Sequence, residues 1–191
     1  MSNSVLILDF GSQVTQLIAR RVRENGVYCE IYPFNKADEA IDSLLPAAII
    51  LSGGPASVTA KDGPRAPSRV FELGVPVLGI CLGSQLLAAV LGAQVRRGAQ
   101  PEIGWHEVRL APLAAADAVW ATIASDHESF QAFHWHGDIF DLPTGAEQLA
   151  SSAITPCQGF VYGRSAYGTL FHLEVTEKVV ADMLATFADE V

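Results

Sequence analysis

At 191 residues, half of them hydrophobic and 17% charged, the chain is sized for one domain over 1–191 and is too apolar to be disordered. Its formal net charge of −9 argues against nucleic acid and acidic membrane surfaces as general partners. Three cysteines without paired spacing fit a reducing cytoplasm, the location expected here, rather than a disulfide framework; no basic leader or membrane-length apolar run is visible.

The elements are expected in this order: strand 4–9, helix 12–25, strand 27–32, helix 37–44, strand 47–52, and an irregular Gly/Pro/Ser stretch at 53–64. Arg20, Arg21 and Arg23 lie along the first helix as a solvated or docking face, and Cys29 falls in the second strand as a core residue. Helix 65–73, strand 75–80 and helix 84–91 follow. This alternation predicts an α/β fold, an open, mostly parallel twisted sheet with helices on both faces. Beyond residue 92 the pattern changes to short strands (93–97, 107–110, 129–135, 148–152, 159–162, 169–173), which read as a small antiparallel extension. A helix at 176–188 closes the chain. Cys157, after a proline in an expected loop, is given no role.

The apolar run Val77-Leu78-Gly79-Ile80 breaks at Cys81, and Gly79 and Gly83 flank that cysteine two residues away on each side. A residue at a sharp strand-to-helix turn is held out at the carboxyl edge of the sheet, and glycines are needed where side chains would collide. The helix N-terminus beyond it favours thiolate, the reactive form. An arbitrary cysteine is more often a small buried hydrophobe; here the flanking glycines and the strand-to-helix switch favour a nucleophile.

A thiol nucleophile needs a base, and the base an orienting group. His172 and Glu174 supply both: on an expected strand they share a face, so the carboxylate can hold the imidazole. Alone, such a pair reads as the solvated face of an edge strand; with Cys81 in the same chain it reads as catalytic. Leu173, between them, is expected to point away into apolar packing. Gly53 and Gly54, Cys81, and His172 with Glu174 all fall at the carboxyl ends of expected strands, where open α/β sheets carry their sites.

His134 and His136 would share a strand face, but the local sequence offers no third metal ligand, so no metal is assigned. None of the three lysines, Lys36, Lys61 and Lys178, lies in a phosphate-binding glycine loop, so no ATP site is expected.

In order and spacing, the blocks Gly79-Ile80-Cys81-Leu82-Gly83-Ser84-Gln85, Phe171-His172-Leu173-Glu174-Val175 and Ser52-Gly53-Gly54-Pro55 resemble those of the class I (triad-type) glutamine amidotransferases. Residues 5–13 and 15–24, with Pro64-Arg65-Ala66-Pro67, resemble the glutaminase domain of GMP synthases. The segment Phe133-His134-Trp135-His136-Gly137-Asp138 keeps that enzyme's His-Gly-Asp but has Trp135 where a serine is usual, and Leu173 stands where the family normally has proline. In these departures the chain is similar to stand-alone GMP synthase-like amidotransferases.

The resemblance implies a flavodoxin-like glutaminase fold and hydrolysis of glutamine through a Cys81 thioester. It implies an oxyanion hole from the N–H groups of Gly54 and Leu82, and substrate contacts from Ser52, Gly53, Gln85, Gly137 and Asp138. No cofactor is implied in this chain. ATP and magnesium are implied only on an ATP-pyrophosphatase synthetase, a separate subunit or domain, that would use the ammonia to aminate xanthosine monophosphate. Two alternatives stay open: the same triad on another γ-glutamyl substrate, and a non-catalytic regulatory binding module.

Overall fold

The computed structural model describes residues 3–186. Its elements in chain order are β1 Ser4–Asp9, α1 Thr15–Glu24, β2 Tyr28–Pro33, α2 Ala37–Leu44, β3 Ala48–Leu51, α3 Arg69–Glu72, β4 Val77–Ile80 and α4 Leu82–Val90. Then come β5 Val95–Leu110, α5 Ala121–Ala124, β6 Ser129–Phe140, β7 Ala146–Ser151, β8 Gly159–Tyr162, β9 Ala166–Thr169 and α6 Glu177–Thr186. The final two residues of the expected helix 176–188 lie outside the described residues.

Nine strands form one open sheet in the order β2-β1-β3-β4-β9-β8-β7-β5-β6. The pairs from β2 through β9 are parallel, and those from β9 to β6 are antiparallel. Period-two alternation divides the core. Leu6 and Leu8 of β1 pack with Ile41 of α2, Val70 of α3 and Leu86 of α4, while Ile7 packs on the other face with Ile18 and Ala19 of α1. Helices therefore cover both faces of the parallel half, as the alternation predicts.

Element boundaries differ from expectation for local reasons. The first helix begins at Thr15, not 12, because the Asp9 carboxylate accepts the N–H groups of Gly11 and Ser12 and the Thr15 hydroxyl, folding 10–14 into a turn. The expected helix 65–73 shrinks to Arg69–Glu72, since Pro67 bars helical backbone at the residue before it. The expected strands at 93–97 and 107–110 are the two ends of the single strand β5. Pro101 and Gly104 read as breakers, yet the strand absorbs them through a register shift between Arg97 and Glu102 and a positive φ of +106° at Gly104. On α1, Arg20 and Arg21 pair with Glu24 at the surface, a solvated face.

Candidate active site

Cys81 joins β4 to α4 with φ +51° and ψ −111°, and with Leu45 it is one of two non-glycine residues at positive φ among those described. Such backbone persists only where its surroundings enforce it. Two observations show the enforcement. A side chain at Gly79 would strike the Gly83 backbone, and one at Gly83 would strike the Leu51 carbonyl. The Cys81 N–H donates to the Thr169 carbonyl at 2.7 Å, and the Ser84 hydroxyl donates to the Cys81 carbonyl at 2.7 Å. The turn is thus tied to β9, the strand that feeds His172.

His172 and Glu174 do not lie on a strand, contrary to expectation. β9 ends at Thr169, and the chain then runs irregularly, with His172 held by an isolated bridge in which its N–H donates to the Phe133 carbonyl at 2.8 Å. The pair still meets: His172 Nδ1 lies 2.7 Å from Glu174 Oε1, with both side chains nearly sealed from solvent. The face-sharing came from a tether across to β6 rather than from strand periodicity. Leu173 points away from the pair but is 58% exposed, so it faces solvent and not the apolar packing expected of it. Its N–H, and that of Glu174, hydrogen-bond the Glu174 carboxylate. A proline at 173 would lack that donor.

Electrostatics follow from this geometry. Burial works against a charged His172 ring, but the Glu174 charge, together with hydrogen bonds to Cys81 and Glu174, outweighs it and raises the ring above its ordinary range. Burial likewise disfavours a charged Glu174, and the His172 ring more than offsets it, so the carboxyl is lowered. The imidazole therefore carries its proton readily beside the cysteine. Of the other cysteines, burial pushes Cys157 up to about 12, an inert thiol, and Cys29 is buried in the core.

The pocket over Cys81 has a volume of about 600 Å³ and is lined by Gly54, Leu82, Gln85, Gly137, Asp138 and His172 among others. Gly54 approaches the Phe10 carbonyl so closely that any side chain there would collide with it. Leu82 opens α4, where the first N–H groups have no partner inside the helix. Both residues line the pocket together with Cys81. Gly53 sits against Cys81 and His172, a Cβ there lying 3.6 Å from both Cys81 Cβ and His172 Cε1.

Ser52 is placed differently from its expected substrate role. It is fully buried, its hydroxyl accepts from the Phe10 N–H and donates to the Gly53 carbonyl, and it shapes the turn from beneath. Gln85 is buried at the pocket floor and donates to the Asp138 carbonyl at 3.1 Å. The Asp138 carboxylate accepts the Ser57 hydroxyl from the irregular 53–64 segment and has Arg97 at 3.8 Å.

Sequence reasoning missed three participants. Trp135 turns its carbonyl to Cys81 Sγ at 3.7 Å. Arg97 lines the pocket beside the β5 register shift, directly opposite Asp138 on β6. Glu102, from the same irregular stretch, lies buried beside His136 and His134.

The family model "Glutamine amidotransferase class-I" matches residues 6–191. Among curated proteins, the chain is 47% identical over 180 residues to a "GMP synthase [glutamine-hydrolyzing]" of Thiobacillus denitrificans, covering 92% of this chain and 35% of that one. It is 48% identical over 183 residues to the enzyme of the same description from Phenylobacterium zucineum, covering 90% and 33%. The chain thus spans about one third of the length of these relatives. Among solved structures, a glutamine amidotransferase of Thermotoga maritima superposes with a TM-score of 0.81 at 28% identity, over 100% of this chain and 84% of that one. A glutamine amido transferase of Methylobacillus flagellatus shares the fold at a TM-score of 0.78 and 22% identity, over 100% and 77%.

Proposed function

The chain belongs to the class-I glutamine amidotransferases, and from that premise we propose that it hydrolyses glutamine to glutamate and ammonia at Cys81 and passes the ammonia to a synthetase of the GMP synthase type. The observation that carries this reading is the meeting of the strained Cys81 and the Glu174-bound His172 at one pocket of about 600 Å³.

In this reading the Cys81 thiolate attacks the side-chain carbonyl of glutamine. The oxyanion that forms accepts hydrogen bonds from the Gly54 and Leu82 N–H groups, each such donor lowering the barrier by about 3 kcal/mol. His172, as imidazolium held by Glu174, gives its proton to the leaving nitrogen and releases ammonia. The neutral imidazole then takes a proton from water, which attacks the γ-glutamyl thioester and frees glutamate and the thiol. The Asp138 carboxylate suits the substrate's α-ammonium, with Gln85 and Gly137 shaping the same end of the pocket. No cofactor takes part in these steps; ATP and magnesium belong to the synthetase.

Two observations bear on the partner. The relatives are about three times as long as this chain and are described as GMP synthases, which supports a synthetase working with this domain. The 53–64 segment, fastened to Asp138 through Ser57, is placed where a partner could act on the substrate site. One feature favours a second reading, a γ-glutamyl hydrolase of other specificity: the pocket is roomy for glutamine alone and Arg97 stands at its rim, suited to a further carboxylate. The intact triad argues against a purely regulatory binding module.

The test is glutamate release from glutamine by the wild type and by Cys81→Ala, with and without a GMP synthase-type synthetase, ATP and xanthosine monophosphate. The reading requires that Cys81→Ala abolish release. It fails if the variant stays within a few-fold of wild type.

A further inference from the structure

A second cluster lies beside the catalytic pocket and takes no part in the chemistry above. Glu102, His134 and His136 are 1%, 0% and 6% exposed, and one ligand atom from each lies within 4.8 Å of the other two. The register shift after Arg97 sets Glu102 directly opposite His136 across β5 and β6, and His134, two residues along, shares its face. Gly104, opposite His134, keeps the strand bent around them with its φ of +106°.

We propose that Glu102, His134 and His136 form a structural binding site for one divalent cation of the zinc type. Spacing is the first argument. His134 Nδ1 lies 3.4 Å from His136 Nε2, and His136 Nε2 lies 3.6 Å from Glu102 Oε2. These separations are long for hydrogen bonds, but they are close to the ligand–ligand edge of about 3.3–3.4 Å that tetrahedral bonds of 2.0–2.1 Å imply.

Charge is the second. Among the described residues, no lysine or arginine forms an ion pair with Glu102, whose only such contact is the His136 ring. Its other partners are neutral donors: the Ser152 and Thr155 hydroxyls and the Gln158 amide. A carboxylate sealed from water is costly unless it is paired or binds a metal, and ligating carboxylates are themselves hydrogen-bonded in this way. The third argument is an unmet acceptor. Gln158 Oε1 is buried without a partner, while its amide nitrogen lies 2.7 Å from Glu102 Oε2 and 3.5 Å from His136 Nε2. His134 Nε2 and His136 Nδ1 are likewise buried without a partner, so protein groups alone leave this cluster unsatisfied.

The donor set is two imidazoles and a carboxylate, with no thiolate, which suits zinc-type ions. The ion would tie β5 to β6 and, through the hydrogen-bond partners of Glu102, to the 152–158 segment.

The experiment uses the full chain carrying Cys81→Ser, so that the pocket thiol cannot hold metal. The protein is stripped with chelator, reloaded with Zn²⁺ or Co²⁺, freed of excess ion, and its metal counted by mass spectrometry. One equivalent should remain, and Tm should rise on loading and fall back with chelator. The Co²⁺ form should show visible bands of a tetrahedral nitrogen/oxygen site without thiolate charge transfer. His134→Phe should lose the equivalent; if that variant does not fold, the cobalt spectrum of the parent decides. The proposal is overturned if neither ion is retained nor shifts Tm, if the wild type binds metal only through a thiolate that Cys81→Ser removes, or if folded His134→Phe binds as the parent does.

Discussion

In the proposed reaction the chemistry turns on Cys81 and the His172–Glu174 pair, and each was legible for a different reason. The cysteine announced itself through Gly79 and Gly83, whose close contacts leave no room for side chains. The pair was legible by spacing, but the cause inferred for it was not the operative one, because a single bridge to Phe133 sets His172 rather than strand alternation. That bridge joins segments far apart in sequence, so no local pattern could show it. Two predictions belong at this scale. Glu174 outweighs the burial that would otherwise discharge His172, so removing its charge should let burial prevail. The alkaline limb of kcat/KM reports loss of the imidazolium proton; in wild type it should lie well above the ordinary histidine value of about 6.5, and in Glu174→Gln it should move down by more than a unit. A pH profile of glutamate release reads this directly, and an unmoved limb would mean that Glu174 does not tune the base. Leu173→Pro removes a backbone N–H beside Glu174 and favours extended backbone at His172, which already sits in a β-bridge, while leaving the imidazole and thiol side chains unchanged. Its kcat/KM should change by less than tenfold, about 1.4 kcal/mol of barrier; a larger loss would make that donor essential to the triad.

At the scale of elements, the parallel half was legible because alternating apolar runs separated by helices admit few topologies. The antiparallel half was only partly so. Pro101 and Gly104 look like strand breaks, yet β5 carries both: a register shift falls between Arg97, which lines the pocket, and Glu102, which faces the histidines. Loss of sequence regularity there marks a bulge rather than a loop. The tightest junction is α4 against β3, where Gly83 packs its backbone on the Leu51 carbonyl. Gly83→Ala must push backbone from backbone, which no rotamer change relieves. It should lower unfolding free energy by about 3 kcal/mol and slow glutamate release through a displaced Cys81. Urea unfolding followed by circular dichroism checks the first, and a stability loss below about 1 kcal/mol would show that α4 can shift away freely.

For the whole molecule, the sheet brings three segments remote in sequence to one edge: the glycine turn after β3, the cysteine after β4 and the histidine after β9. β9, although it pairs antiparallel with β8, runs parallel to β4 and so carries its carboxyl end to the same edge. A domain that releases ammonia to water unprompted would waste glutamine. The Ser57–Asp138 contact gives the 53–64 segment a hold on the substrate site, so glutamine turnover by this chain should rise at least tenfold when a GMP synthase-type synthetase with ATP and xanthosine monophosphate is added. Turnover already maximal in the chain alone would favour the stand-alone hydrolase. The central claim, that Cys81 is the thiol that attacks glutamine, is tested most directly by covalent trapping. The chain is incubated with a diazoketone analogue of glutamine, with and without excess glutamine, and analysed by intact and peptide mass spectrometry. One adduct per chain on Cys81, suppressed by glutamine and absent from Cys29 and Cys157, is the predicted result; an adduct elsewhere, or labelling of Cys81 that glutamine does not slow, would contradict it.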